Sequence, residues 1–171
     1  MYLGLRREEI CGLKWANVDF DNKVITIKDA RTMAGSFIIE KDTKNDSSTR
    51  LQSADDDLLQ ALKTEKEKRE LNKKDLGNAY IETDFVVVMD DGKPYRPNYL
   101  SELFTKFITD NKLSPITLHG LRHSFASLTN SLGISQFNAS KMLGHSTPAT
   151  TGKIYTHLYD EAHKEEMSKV A

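Results

Sequence analysis

The chain has 171 residues, of which 38% are hydrophobic and 29% charged, a balance typical of one globular domain large enough to bury a core. Its longest apolar run, residues 85–89, is far too short to span a membrane, and residues 1–9 lack the apolar stretch of a secretory signal. The single cysteine, Cys11, excludes an intramolecular disulfide and a cysteine-rich zinc site, so we expect a reducing, cytoplasmic setting. A net charge of −1 does not by itself indicate a nucleic-acid-binding protein.

The first third of the chain is predicted to form a short helix followed by a small antiparallel sheet. Apolar residues recur at helical spacing over residues 6–15, and β-branched residues dominate the predicted strands. These strands are expected at residues 24–27, 36–39 and 49–52, with a polar turn over 41–48 before the last of them.

The rest of the chain is predicted to be helical, apart from one short buried strand at residues 85–89. Three aspartates at 55–57 suit the start of a helix that ends near Leu71, because acids stabilise a helix N-terminus. Further helices are predicted at 97–111 (with Leu100, Leu103, Phe104 and Phe107 inward), 118–132, 135–143, 150–157 and 161–169. The fold class is therefore mainly α with a small antiparallel β-sheet (α+β).

Charge is distributed unevenly along the chain. Residues 111–159 contain four Lys or Arg and no Asp or Glu, where the average acid content would give about seven. The same stretch holds four of the five histidines. A surface that accepts an anion would exclude carboxylates for Coulombic reasons, and a locally neutral, buried helical segment explains the pattern equally well.

The most informative site candidates begin at Thr117, a good N-cap for the helix that follows it. His119 and Arg122 are i,i+3 neighbours near its start, where free backbone N–H groups and an Arg fork suit a phosphate. The plain alternative is a partly buried histidine beside a surface arginine. Farther on, Gly144 permits a positive φ that swings His145 away from the preceding helix, where it becomes available as a hydrogen-bond donor.

Three other positions are weak candidates for a functional site when each is considered alone. Tyr155 is a packing residue by default, although a tyrosine beside an electropositive cluster can attack phosphorus. Arg6 begins the first helix with Glu9 on its next turn, which by itself indicates a surface ion pair. Lys44 lies on the polar turn, where most lysines are only solvated.

A metal site is the less favoured interpretation of these residues. His119 and His123 have the i,i+4 spacing of a helical zinc pair, but the sequence lacks a nearby carboxylate or Cys to complete it. Magnesium would need carboxylates that residues 111–159 do not offer. We therefore expect no metal and no cofactor.

Taken together in chain order, these residues resemble the tyrosine recombinase (phage integrase) family. The resemblance covers the catalytic domain from Gly4 to about His157. Its most specific block is residues 117–126, with His-x-x-Arg, supported by Leu-Gly-His-Ser at 143–146 and Thr-Thr-x-x-x-Tyr-x-His at 150–157.

The resemblance implies a role for each candidate. The two catalytic arginines would be Arg6 and Arg122, with Lys44 as the hairpin lysine, although Lys41 lies close by. His119 would be the first residue of His-x-x-Arg, His145 a residue that is His or Trp in relatives, and Tyr155 the nucleophile; Glu9 matches an acid with a structural role.

The implied activity is site-specific DNA recombination through a 3′-phosphotyrosyl intermediate, without metal or ATP. The implied partners are double-stranded DNA and three further copies of the chain, as a tetramer on DNA and a monomer when free, with no membrane association. The family's N-terminal DNA-binding domain is expected to be absent, because Met1 lies close to Arg6, so residues 1–171 would be one catalytic domain. The C-terminal helix at 160–171 would be loosely held or docked on a neighbouring copy. Three alternatives stay open: an inactive DNA-binding module of the same fold, a type IB topoisomerase-like enzyme, and a helical interaction domain.

Overall fold

The computed structural model describes residues 3–35, 37–42, 49–145 and 151–152, with residues 41 and 42 as backbone only. The α-helices are α1 (Arg7–Gly12), α2 (Asp56–Leu76), α3 (Pro97–Asp110), α4 (Leu118–Ser131) and α5 (Gln136–Leu143). The strands are β1 (Val18–Asp19), β2 (Val24–Ile27), β3 (Asp29–Ala34), β4 (Phe37–Asp42) and β5 (Arg50–Ser53). These elements confirm the predicted mainly helical class.

The strands form two small antiparallel sheets rather than the single sheet predicted. One sheet has the order β1-β2-β5 and the other is the β3-β4 hairpin, whose first strand the sequence did not indicate. In the three-stranded sheet, Ile25 and Ile27 are buried, and they lie opposite Gln52 and Arg50 of β5. Because side chains alternate along a strand, Arg50 and Gln52 point inward while Leu51 between them is exposed.

The predicted strand at residues 85–89 is wrong. Phe85 and Val86 are buried as expected, but this segment forms only isolated bridges, from Phe85 to Lys14 and from Val88 to Pro94. Its backbone forms single hydrogen bonds to separate segments, since the amide of Val86 donates to the Leu13 carbonyl and that of Met89 to the Lys93 carbonyl, each at 2.8 Å. An apolar run can therefore be buried here without a continuous ladder.

The first two long helices follow the sequence with two corrections, of which the first is that α2 continues to Leu76 instead of ending near Leu71. The Asp55 side chain caps α2 by accepting from the amide of Leu58 at 2.8 Å, and Leu59 and Leu62 face the core. In α3, Phe107 is 56% exposed, so its predicted inward position is wrong, and Ile108 is buried instead. The inward face of α3 therefore continues from Phe104 to Ile108, which is four residues farther along the helix and on the same face.

The cap predicted at Thr117 is confirmed. Thr117 accepts from the amide of Gly120 at 2.9 Å and begins α4, and Ser135 accepts from the amide of Asn138 to begin α5. Thr151 and Gly152 are helical, and the remainder of the predicted helices at 150–157 and 161–169 lies outside the described residues.

Two apolar clusters form the core. The larger one joins β2, α2 and the segment after α1, with Ile25, Ile27 and Leu59 among its members. The smaller one packs α4 against α5 around Phe125 and Leu143. No helix among the described residues is both long and apolar enough to cross a bilayer.

Candidate active site

A cavity of about 640 Å³ opens where the starts of α1 and α4 face α3 and the end of α5. Four predicted site residues line it: Arg6, His119, Arg122 and His145. The other two, Lys44 and Tyr155, lie outside the described residues. The fold therefore gathers side chains from both ends of the chain around one space, as the sequence predicted for these four.

Arg6 precedes α1 and is oriented by the acid on the first turn of that helix. Its Nη1 donates to Oε1 of Glu9 at 2.8 Å, and its backbone amide donates to Oε2 at 2.7 Å. Its Nη2 donates to the carbonyl of Gly144 at 2.7 Å. Since the Arg6 side chain is still 37% exposed, its guanidinium is fixed and yet accessible from the cavity.

Arg122 is the buried arginine of the cavity, with a side chain only 5% exposed. Its Nη1 donates to the Gly4 carbonyl at 2.7 Å and its Nη2 to the Leu143 carbonyl at 2.6 Å. Gly4 has a φ of +56°, and a Cβ there would lie 2.6 Å from the Phe125 ring, so glycine is required to present this carbonyl. Burial, followed by the neighbouring Arg6, lowers the pKa of Arg122 to about 10. The group stays charged at neutral pH in surroundings short of negative charge.

Arg50 is a third arginine of this site, and the sequence analysis missed it. Its guanidinium forms a forked pair with Glu9, with Nη1–Oε1 at 3.0 Å and Nη2–Oε2 at 2.8 Å. Its Nε donates to the Met142 carbonyl at 2.8 Å, and its side chain is 7% exposed. The signal was the alternation of Arg50 and Gln52 around Leu51, because an inward-facing arginine needs a buried anionic partner.

Glu9 is the acid at the centre of this cluster. Its side chain is 3% exposed, so the simple interpretation of a surface ion pair is wrong. Burial acts to raise the pKa of Glu9, but the hydrogen bonds and charges of Arg50 and Arg6 outweigh it and hold the pKa below its ordinary value. Glu9 is therefore ionised and balances part of the positive charge of three arginines.

The end of α5 receives all three guanidinium groups. Three successive carbonyls, of Met142, Leu143 and Gly144, accept from Arg50, Arg122 and Arg6 respectively. The last carbonyls of a helix are unpaired within it and carry the negative end of its dipole. Gly144 has the predicted positive φ of +64°, and a Cβ there would lie 2.5 Å from Arg50 Nη1.

His145 follows this helix end directly and lines the cavity. Its Nδ1 lies 2.7 Å from Oγ1 of the fully buried Thr151. Burial, with Arg122, Arg6 and Arg50 adding to it, lowers the pKa of His145 to about 4. The imidazole is therefore neutral at pH 7, and it offers an Nε2–H donor when the Thr151 hydroxyl donates to Nδ1.

This lowered pKa predicts a pH-dependent stability. Between pH 4 and 6.5 the unfolded chain binds a proton at His145 that the folded chain does not, so folding stability rises with pH across that window. We expect His145→Gln to flatten this rise, with the difference measured by urea unfolding at steps between pH 5 and 7. Parallel stability curves for the two proteins would show that His145 titrates normally in the folded state.

His119 reaches the cavity from the first turn of α4 and is paired with His123 one turn later. Their Nε2 atoms are 2.8 Å apart, and the rings meet edge to face. One imidazole donates to the other, so the pair is a hydrogen-bonded unit. Within the described residues, no three His, Cys, Asp or Glu side chains are grouped as metal ligands.

The chemistry of the cavity suits a phosphate group. Arg6 and Arg122 bring two guanidinium groups to the cavity, and the buried, ionised Glu9 beside them balances only part of their charge. Glu8 also lines the cavity and is paired with Arg7. Groups with such shifted pKa values are concentrated at functional sites. His119 and His145 add groups able to donate a hydrogen bond or move a proton.

The model of the phage integrase family matches residues 1–162 of the chain. This chain belongs to the phage integrase family. Among curated relatives, the ICEBs1 integrase of Bacillus subtilis (strain 168) is 30% identical over 98% of this chain and 45% of its own length. A XerC-like tyrosine recombinase of Caldanaerobacter subterraneus subsp. tengcongensis is 27% identical over 91% of this chain and 43% of its own length.

The fold is that of phage integrase catalytic domains. The Tn1549 transposon integrase, solved in complex with transposon right end DNA, superposes with a TM-score of 0.77 at 22% identity. That match covers 99% of this chain and 56% of the transposon integrase chain. This member of the family spans about half the length of the curated relatives it matches.

Proposed function

We propose that this chain carries the catalytic part of a site-specific DNA recombinase that cuts and rejoins DNA through a 3′-phosphotyrosyl bond. The observation that supports it most is the convergence of Arg6 and Arg122 on one cavity through a shared acid, Glu9, and adjacent carbonyls. Two guanidinium groups fixed in this way can stabilise the negative charge that develops on the non-bridging oxygens of one phosphate during the reaction.

The proposed first step is an attack by Tyr155 on a scissile DNA phosphate. The tyrosine oxygen passes its proton to the His119 imidazole and forms the new P–O bond, while the bond to the 5′-oxygen of the next nucleotide breaks. Lys44 supplies a proton to that leaving oxygen, and His119 assists the proton transfer. His145 donates a hydrogen bond to a non-bridging oxygen.

The second step reverses the first with a different strand. A 5′-hydroxyl from the partner duplex attacks the phosphotyrosine, restoring a DNA phosphodiester and the free Tyr155 hydroxyl. One phosphodiester is exchanged for another, so neither ATP nor water is consumed. The fixed cations Arg6 and Arg122 act at the same phosphate in both steps.

The partners of this reaction are double-stranded DNA and other copies of the chain. We propose that the protein works in the cytoplasm, is a monomer when free and assembles as a homotetramer on its DNA. The segment 160–171, outside the described residues, is expected to dock on a neighbouring copy. Sedimentation with and without DNA, before and after deletion of residues 161–171, tests this assembly. Unchanged recombination after that deletion in a full-length context would contradict a coupling between docking and catalysis.

The function is tested by trapping covalent adducts on a pool of genomic fragments, which does not require a defined target site. Nicked fragments are incubated with the chain in EDTA, denatured with SDS and partitioned with phenol, and the protein-linked DNA is sequenced. We expect adducts that resist SDS, disappear after proteinase K and are enriched at one sequence. An inactive DNA-binding module would give none, and a topoisomerase-like enzyme would give dispersed sites and relax supercoiled plasmid.

DNA binding itself is predicted to be weak and strongly salt-dependent. The net charge is −1, so attraction must come from the local face around the cavity and the acid-free stretch 111–159. Each phosphate neutralised adds about 0.9 to the slope of log affinity against log salt, so Arg122→Gln should lower that slope by about one. Fluorescence anisotropy at several NaCl concentrations measures this, and affinity that survives several hundred millimolar salt would contradict it.

A further inference from the structure

We propose that Arg50 is a positioning residue of this active site, which holds Glu9 and the end of α5 so that Arg6 and Arg122 face one phosphate. This inference rests on the proposed function, since it gives Arg50 a part in the same reaction. Arg50 is not among the residues that line the cavity. It acts through its neighbours and not on the DNA.

The position of Arg50 is set by the sheet. It lies opposite Ile27 in the β2-β5 ladder and points inward, so its side chain starts from a fixed backbone. From there it reaches α1 through Glu9 and α5 through the Met142 carbonyl. One buried side chain thus joins the sheet to α1, which Arg6 precedes, and to α5, which His145 follows.

The forked pair uses up the hydrogen-bonding capacity of Glu9. A carboxylate offers about four lone-pair sites, and Glu9 accepts two bonds from Arg50 and two from the side chain and backbone of Arg6. Arg122 Nη1 stays 3.9 Å from Glu9 Oε2, beyond hydrogen-bonding distance. Arg50 therefore keeps the acid from forming a fork with Arg122.

The bond to Met142 fixes the second partner of the catalytic arginines. The Met142 carbonyl also accepts from Nε2 of Gln52, so two side chains of β5 hold this helix end. The next two carbonyls are those that orient Arg122 and Arg6, and His145 follows them. A shift at Met142 would move these acceptors together.

Removing Arg50 is therefore expected to disturb the site in two ways. Glu9 would gain two free acceptor sites and turn toward Arg122, the nearest remaining buried cation. The end of α5 would lose one of its two anchors on β5. Displacements of about 1 Å near a reacting phosphate can slow a reaction by about 100-fold.

The test compares Arg50→Met and Arg50→Lys in the whole chain with a matched control. At saturating DNA bearing the trapped site, we expect Arg50→Met to lower the single-turnover cleavage rate about 100-fold and the DNA Kd less than about threefold. Arg50→Lys keeps a buried cation without the fork, so we expect it to fold and to lower the cleavage rate about tenfold. This variant keeps the test valid if Arg50→Met unfolds.

Arg31 on β3 provides the control. Its side chain is also 7% exposed, and it pairs with Glu40 and donates to the Tyr95 carbonyl away from the cavity. We expect Arg31→Lys to lower the melting temperature about as much as Arg50→Lys while leaving the cleavage rate unchanged. Equal rate losses in both lysine variants, or a normal rate in folded Arg50→Lys, would overturn the proposal.

A second readout separates this proposal from the function on which it rests. The side-chain Nε–H signals of ¹⁵N-labelled arginine are followed by NMR while inorganic phosphate is added. We expect the Arg122 signal to respond in the wild-type chain and to respond much less in Arg50→Lys. If the wild type forms no DNA adduct, the recombinase function fails, and an unaltered Arg122 response in the variant shows independently that Arg50 does not position it.

Discussion

Replacement of Tyr155 by phenylalanine is expected to abolish covalent attachment to DNA while leaving the fold and DNA affinity nearly unchanged. Only one hydroxyl is removed, and the aromatic ring is retained. Among the six proposed site residues, Tyr155 alone has the phenol oxygen that a phosphotyrosyl bond needs. The adduct assay and anisotropy, run on the same preparation, measure the two effects.

Tyr159 offers the matched control for that experiment. It lies four residues farther along the chain, and Tyr159→Phe removes the same atom. We expect this variant to form adducts at the wild-type rate. Adducts from Tyr155→Phe together with none from Tyr159→Phe would assign the nucleophile to Tyr159.

The second large effect is expected at Arg122. Arg122→Ala would leave the Gly4 and Leu143 carbonyls without their donors inside the protein, which costs about 1–3 kcal/mol for each buried acceptor left unpaired. It would also remove a fixed positive charge from the phosphate. We expect loss of cleavage and a marked drop in melting temperature.

Arg122→Lys separates the two consequences. Lysine retains the charge, but its single nitrogen replaces the planar fork whose two terminal nitrogens reach the Gly4 and Leu143 carbonyls separately. Loss of one preorganised donor slows related reactions by about 10²–10³-fold, so we expect a fall of at least about 100-fold in single-turnover cleavage at saturating DNA. A folded Arg122→Lys protein that cleaves at the wild-type rate would refute the phosphate clamp.

The parts of the fold that follow local rules were predictable from the sequence. The helix start at residues 55–57, the Thr117 cap and the positive φ of Gly144 depend on neighbouring residues and were found as expected. The separate β3-β4 hairpin and the isolated bridges at Phe85 and Val88 depend on partners distant in the chain. The apolar pattern predicted that these segments are buried, but it did not predict which segments they form hydrogen bonds with.

The site was predictable only where a short motif marked it. His119 and Arg122 share one helix turn, and Gly144 marks His145, so their placement around one cavity could be expected. The role of Arg50 could not, because the alternation around Leu51 indicates only that Arg50 points inward, while its partner Glu9 is far away in sequence. Likewise, the sequence marks Thr151 only as part of a motif, whereas the structure gives it a hydrogen bond to His145.

The most direct test of the proposed function is to identify the residue that is covalently linked to DNA. The trapped adduct is trimmed with nuclease, digested with trypsin and examined by tandem mass spectrometry. We predict a nucleotide attached through its 3′-phosphate to the peptide that contains Tyr155. A nucleotide on another residue, or an attachment through a 5′-phosphate, would contradict the proposed chemistry.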